Sequence, residues 1–233
     1  MKLLNLGVGP AENATLAPLK DALSRIIVEM IKREWPQQWT SLLSELSDAC
    51  TKGCSQTELV LLIFLRLVED VALLQTIESN QRRKDMYQAL TNNMSDIFEF
   101  FLRLIEQHVT AFRSGDASSG HARVVEVALL TLTGFVEWVS IQHVMCSNGK
   151  LLHMLCILLN DKAFQCNAAE CLAQITNRKG QVKERRPLWM LFGEEPLRYI
   201  YNAATQPPSL NSLEQQHVFL KKLIQVLNGL GQQ

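Results

Sequence analysis

The sequence predicts an all-α fold, a right-handed solenoid of stacked antiparallel helix pairs. Three observations predict it: apolar residues recur at helical spacing from Leu19 onward, no stretch sustains the two-residue alternation of a half-buried strand, and the helices recur in pairs. The chain has the material for such a core, since 47% of its 233 residues are apolar, which excludes wholesale disorder. Its longest uninterrupted apolar run, Leu59 to Leu65, falls far short of the ~20 residues of a membrane-spanning helix.

Residues 1–18 differ from everything after them. Lys2 precedes a short apolar segment broken by Asn5, Gly7 and Gly9, too short for a signal peptide, so an irregular leader without a targeting role is expected. Helical patterning starts at Leu19, with Leu19, Ala22, Leu23, Ile26, Ile27, Met30 and Ile31 on one stripe. Pro36 stops this helix because it lacks an N–H and disfavours helical geometry at Trp35. A second helix is expected from about Trp39 to Cys50, ended by Gly53. The third starts after Gln56 and is apolar on all sides, which implies packing between neighbours. The fourth and longest carries one continuous stripe from Met86 to Phe112. The run RSGDASSG, within a loop placed at 113–121, has no core residue and reads as a flexible connection between helices. A fifth helix is expected over Val124–Val136, a sixth over Leu151–Leu159 and a seventh over Ala163–Thr176. The eighth covers roughly Pro187–Ala204, with candidate breaks at Gly193 and Pro196, and the ninth Leu213–Leu227.

The first members of successive pairs begin near residues 19, 57, 121, 163 and 211. Apart from the interval holding the long fourth helix and the polar loop, these spacings approach the ~40–47-residue period of HEAT and armadillo arrays. A HEAT-repeat solenoid of about four and a half repeats is therefore expected, with an irregular helical bundle as the alternative. Such a slice of a longer solenoid would expose stacking faces at both ends, such as Leu23/Ile27 and Leu220/Leu223, and would be marginally stable or prone to aggregate alone.

Catalysis needs a nucleophile, base or metal in a shaped site, and the sequence offers no G-x-S-x-G elbow, H-E-x-x-H pair or phosphate loop. No enzyme, no catalytic residue and no cofactor are expected. His143-x-x-Cys146 with His153-x-x-Cys156 has the ligand types of a zinc site, but Cys156 lies among Leu152, Leu155 and Leu159, so no metal is expected there. Six cysteines are too few for a disulfide scaffold and suit a reduced compartment; Cys50, Cys54, Cys166 and Cys171 read as core or surface thiols.

Net charge is zero, with 23 basic and 23 acidic residues, yet the balance is uneven along the chain. Residues 1–120 hold 12 basic and 15 acidic residues, and residues 121–233 hold 11 and 8. One cluster concentrates the positive charge: Arg178, Lys179, Lys183, Arg185 and Arg186, opposed by Glu184. It can attract phosphate or another acidic partner, and equally it can be a solvated inter-helix loop. Trp189 and Phe192 follow closely; basic residues with aromatics can hold bases, although Trp189, Met190 and Phe192 fit the core of the eighth helix better.

Several strings are more specific than generic repeat sequence. They are KDALSRIIVEMIKREWPQQW (Lys20 to Trp39), QTELVLLIFLRLVEDV (Gln56 to Val71) and LTNNMSDI (Leu90 to Ile97). The helix junction made by Trp35, Pro36 and Trp39 resembles that of the nuclear exportins of the importin-β (karyopherin) superfamily. Ala168 to Leu172, Arg178-Lys179-Gly180, Leu191-Phe192-Gly193 and Val218 to Lys221 fit the same resemblance, which covers residues 19–233 and leaves 1–18 outside.

The resemblance implies an export receptor shuttling between nucleus and cytoplasm. Its partners would be Ran-GTP, nuclear pore proteins, double-stranded or hairpin RNA such as precursor microRNA, and RNA-bound protein cargo. A-form stems are read by shape, phosphates and 2′-hydroxyls, so such a carrier needs a basic surface rather than a sequence-reading motif. The repeats nearest the family's N-terminus, central to Ran recognition, are not matched, so no individual Ran or RNA contact is carried over. The alternative is a HEAT scaffold that binds protein partners only.

Overall fold

In the computed structural model, residues 17–73, 79–115, 120–179, 182–206 and 213–231 are described. Contacts divide the chain into two compact units, residues 1–134 and 135–233. The described residues of both are helical, without a strand.

The first unit holds α1 (Ala17–Glu34), α2 (Leu42–Cys50), α3 (Cys54–Val68), α4 (Asn80–Asn92), α5 (Met94–Arg113) and most of α6 (His121–Trp138). A π-helical turn, Glu69–Leu73, extends α3. As its composition predicts, α3 is buried almost all round, packed between α1 and α2. Thr131 of α6 donates to the Leu61 carbonyl of α3 at 3.3 Å, and a Cβ at Gly134 would lie 3.1 Å from Val68. Phe64, Phe100 and Phe101 form an aromatic cluster between α3 and α5, with ring centres 5.5 to 5.9 Å apart.

The second unit holds α7 (Ile141–Val144), α8 (Cys146–Leu158), α9 (Gln165–Thr176), α10 (Val182–Arg185), a 3₁₀ helix (Arg186–Phe192), α11 (Glu194–Thr205) and α12 (Leu213–Gly231). Here α9 packs on α12 and on α8, while α8 packs on α11. The first helices of neighbouring pairs thus lie against each other, α1 on α3 and α9 on α12, in the stacked arrangement of HEAT repeats. No helix among the described residues is long and apolar enough to cross a membrane.

Several sequence expectations are corrected. α1 opens at Ala17, inside the expected leader, and its buried face is Lys20, Ser24, Ile27, Val28 and Ile31. Leu19, Ile26 and Met30 are exposed instead, because two polar side chains on the packed face find partners within the unit. α2 begins three residues after Trp39, since residues 35–41 form turns. The long fourth helix is two, broken at Asn93, whose side-chain amide donates to the Ala89 carbonyl at 2.8 Å and competes with the helical ladder. The expected loop at 113–121 has helical ends, Arg113 closing α5 and His121 opening α6; residues 116–119 lie outside the described residues. The eighth helix breaks at Gly193, whereas Pro196 sits within the first turn of α11, where a missing N–H costs nothing. Ile27 and Leu223, expected on stacking faces, are buried; on α12 the exposed apolar residues are Leu213, Val218, Ile224 and Leu227.

Candidate functional site

The basic cluster spans the stretch from the end of α9 into the 3₁₀ helix, and the structure gives its members different surroundings. Arg178 turns inward. Its guanidinium donates to the Val136 carbonyl at 2.9 Å and to the Val139 carbonyl, both at the C-terminal end of α6. Those carbonyls have no partner within their own helix, so Arg178 acts as a cap. Burial holds its pKa below the usual guanidinium value. Lys179, Lys183 and Arg186 are exposed and Arg185 is half-buried. Gly180 and Gln181, which join the two parts of the cluster, lie outside the described residues.

From Arg186 the chain tightens into the 3₁₀ helix, with Pro187 in its first turn. At three residues per turn, residues three apart lie above one another. Leu188 and Leu191 therefore share the buried face, while Arg186, Trp189 and Phe192 align on a separate, exposed one. Trp189 and Phe192 are 51% and 48% exposed, which corrects the expectation that both belong to the core. The Arg186 guanidinium sits over the Trp189 ring, 5.6 Å from its centre. The signal that could have shown this is Pro187 beside the apolar pair Leu188 and Leu191 at a spacing of three. Met190 is half-buried against the turn that opens α8, where a Cβ on Gly149 (φ +74°) would lie 2.5 Å from its sulfur.

The junction residues are distant in sequence from this face and are structural. Trp35 is buried, Pro36 and Trp39 are half-buried, and the Trp35–Pro36 peptide bond is cis. The Trp39 indole donates to Glu45 at 3.1 Å, and Ser41 donates to the other oxygen of the same carboxylate at 2.5 Å. Arg82 of α4 closes the end of α1, donating to the Lys32 carbonyl at 2.6 Å and to the Trp35 carbonyl. Arg82 thus does for α1 what Arg178 does for α6. Sequence reasoning found neither cap, because a basic residue's partner carbonyl leaves no mark in the pattern.

The histidine and cysteine pairs of α7 and α8 do not form a ligand cluster. His153 stands edge-on to Tyr199 at 6.1 Å, and Cys156 is buried, its thiol pushed up to about 12. The soft ligands that do converge among the described residues are Cys54, His108 and His121 in the first unit. Burial, followed by the nearby His121, draws His108 down to about 4. These three residues share no common spacing in the sequence, and no metal was expected of them.

Comparison with known proteins accounts for the helical arrangement. The pattern of the Exportin 1-like proteins matches residues 17–172. The chain is 46% identical to human Exportin-5 over 222 residues, covering 92% of this chain and 18% of that protein. It is 29% identical to Exportin-5 of Dictyostelium discoideum over 225 residues, 91% of this chain and 19% of that one. Protein HASTY 1 of Arabidopsis thaliana is 26% identical over 168 residues, 70% of this chain and 14% of its own length. The chain therefore spans less than a fifth of the length of these relatives. With the family pattern running from the first described residue into α9, the chain belongs to the exportin family, of the Exportin 1-like type.

Proposed function

We propose that this chain is part of a nuclear export receptor that binds Ran-GTP and carries double-stranded or hairpin RNA, such as precursor microRNA, from nucleus to cytoplasm. Nuclear pore proteins and RNA-bound protein cargo are its further partners in that role. The observation that carries the reading is the 46% identity to an exportin over nearly the whole chain. The exposure of Lys179, Lys183 and Arg186 supports the RNA part, and Arg186 together with half-exposed Trp189 offers positive charge beside an aromatic ring. Phosphate contacts release counterions, so such a face makes binding salt-dependent. GTP arrives on Ran, so the chain needs no phosphate loop of its own.

The test is RNA-hairpin binding over a salt series, in a full-length receptor carrying this segment. Charge reversal at Lys183, Arg185 and Arg186 weakens binding and flattens the slope, by roughly one unit for each phosphate no longer neutralised. Unchanged affinity and slope would remove the cluster from the RNA surface. Arg178 is left out of that variant, since its guanidinium caps α6. A scaffold that binds proteins alone would show no preference for the nucleotide state of Ran.

A further inference from the structure

At one end of α3 three soft donors meet. Cys54 is the first residue of α3, His108 lies in the last turns of α5 and His121 is the first residue of α6. Cys54 Sγ stands 3.4 Å from His121 Nδ1 and 3.8 Å from His108 Nδ1, and the two Nδ1 atoms are 2.6 Å apart. The imidazoles are tilted, at 56° with centres 4.8 Å apart, so they converge through their nitrogens rather than by stacking. His108 is buried, whereas Cys54 and His121 are half-buried, which leaves a route from solvent.

We propose that Cys54, His108 and His121 form a binding site for a soft divalent transition-metal ion of the zinc class. Tetrahedral zinc, with bonds of about 2.3 Å to sulfur and about 2.0–2.1 Å to nitrogen, separates its ligands by about 3.6 Å (S to N) and about 3.3 Å (N to N). Both S···N distances already lie within 0.2 Å of that spacing, at 3.4 and 3.8 Å. Only the N···N pair must open, from 2.6 Å by about 0.7 Å, a movement within reach of a small rotation of half-buried His121. Cysteine sulfur with two imidazoles is a donor set that suits zinc and disfavours magnesium or calcium. Cys54 also occupies the first turn of α3, where the positive end of the helix favours a negative ligand. Three protein ligands leave a fourth position for water or an outside donor.

The ligands come from three helices, and His108 and His121 flank the loop between α5 and α6. A bound ion would tether both ends of that loop to the start of α3, a cross-link that stabilises the folded state over the unfolded chain. The sequence separation of these residues hides the site from spacing rules, which seek pairs two to five residues apart.

Cobalt(II) reports such a site directly, because a tetrahedral cobalt–thiolate centre absorbs in the visible and shows a sulfur-to-metal charge-transfer band. Titrating cobalt(II) into the metal-stripped, tag-free chain gives one equivalent of this signal, which zinc displaces. Cys54→Ser abolishes the charge-transfer band, and His121→Gln lowers zinc affinity by at least about tenfold, the least effect of losing even an outer partner. Cys146→Ser, a half-buried thiol outside the cluster, leaves both unchanged. Circular dichroism on each variant separates a lost ligand from a lost fold, and the half-exposed His121 provides the variant least disturbing to packing. No cobalt signal in the folded wild-type chain, or a signal retained by both Cys54→Ser and His121→Gln, would overturn the site and leave the three side chains as a polar contact only.

Discussion

Lys20 and Glu58 are 4% and 7% exposed, and they pair at 2.5 Å between α1 and α3, with Arg123 of α6 on the second carboxylate oxygen at 3.1 Å. A chain of charge on three helices sits where apolar patterning would place hydrocarbon. Glu58→Gln leaves the Lys20 ammonium buried without its counter-charge and should cost about 3–5 kcal/mol, whereas Lys20→Met with Glu58→Leu should cost much less. Thermal melts of the single and double variants check this, and equal losses would contradict it. Asp21 behaves differently because it is only half-buried. Hydrogen bonds from Arg66, then from Arg25, hold its carboxyl below the ordinary value of 3.8. Its folded pKa is depressed, so its stabilisation is fully present above the unfolded value and vanishes as pH falls through the folded one. The Tm difference between wild type and Asp21→Asn should be constant near neutrality and close below about pH 4. These residues also mark what the sequence reveals at this scale. Periodicity showed that α1 is amphipathic, but the packed face holds Lys20, paired with Glu58 of α3, and Ser24, bonded to the Asp21 carbonyl one turn back, while Leu19 and Ile26 are exposed. Likewise the basic run was legible as charge, while the inward turn of Arg178 depended on two carbonyls some forty residues upstream.

At the scale of elements, the existence of the helices was readable and their ends were not. The stripe from Met86 to Phe112 continues through Asn93 because one non-helical residue barely shifts its phase; only the Asn92–Asn93 pair hinted at the junction between α4 and α5. The 3₁₀ helix was read with a period of 3.6 where three applied, which reversed the predicted burial of Trp189 and Phe192. Close helix contact is set by a glycine the pattern did not single out. A Cβ on Gly229 of α12 would meet Thr176 Oγ1 at 2.8 Å and the Thr176 backbone carbon at 2.9 Å. Backbone cannot yield as a side-chain tip can, so Gly229→Ala should force α12 away from α9 and cost about 1–3 kcal/mol. Gly231→Ala meets nothing within 4 Å and is the matched control. Denaturant unfolding of the pair measures the difference, and equal midpoints would contradict the close approach.

At the scale of the whole molecule, the repeat was legible because each helix pair must share its apolar faces with the next, which imposes a period on the sequence. Family membership was legible through resemblance, and a partner-contacting surface was not, because a surface that reads shape leaves no short motif. Arg178 caps α6, which leaves Lys179, Lys183, Arg185 and Arg186 as the cluster members of the proposed RNA surface. Arg178→Lys keeps the charge but loses the forked cap, so it should destabilise by about 1.5–3 kcal/mol while leaving the salt slope of RNA binding unchanged. Calorimetry beside the salt series separates the two effects. The proposal that this chain is part of an export receptor is tested most directly by capture on immobilised Ran, using a full-length receptor that carries this segment, with hairpin RNA present. Retention of receptor and RNA on GTP-locked Ran, with loss of both on Ran-GDP, is the predicted result; equal retention on the two forms would contradict it.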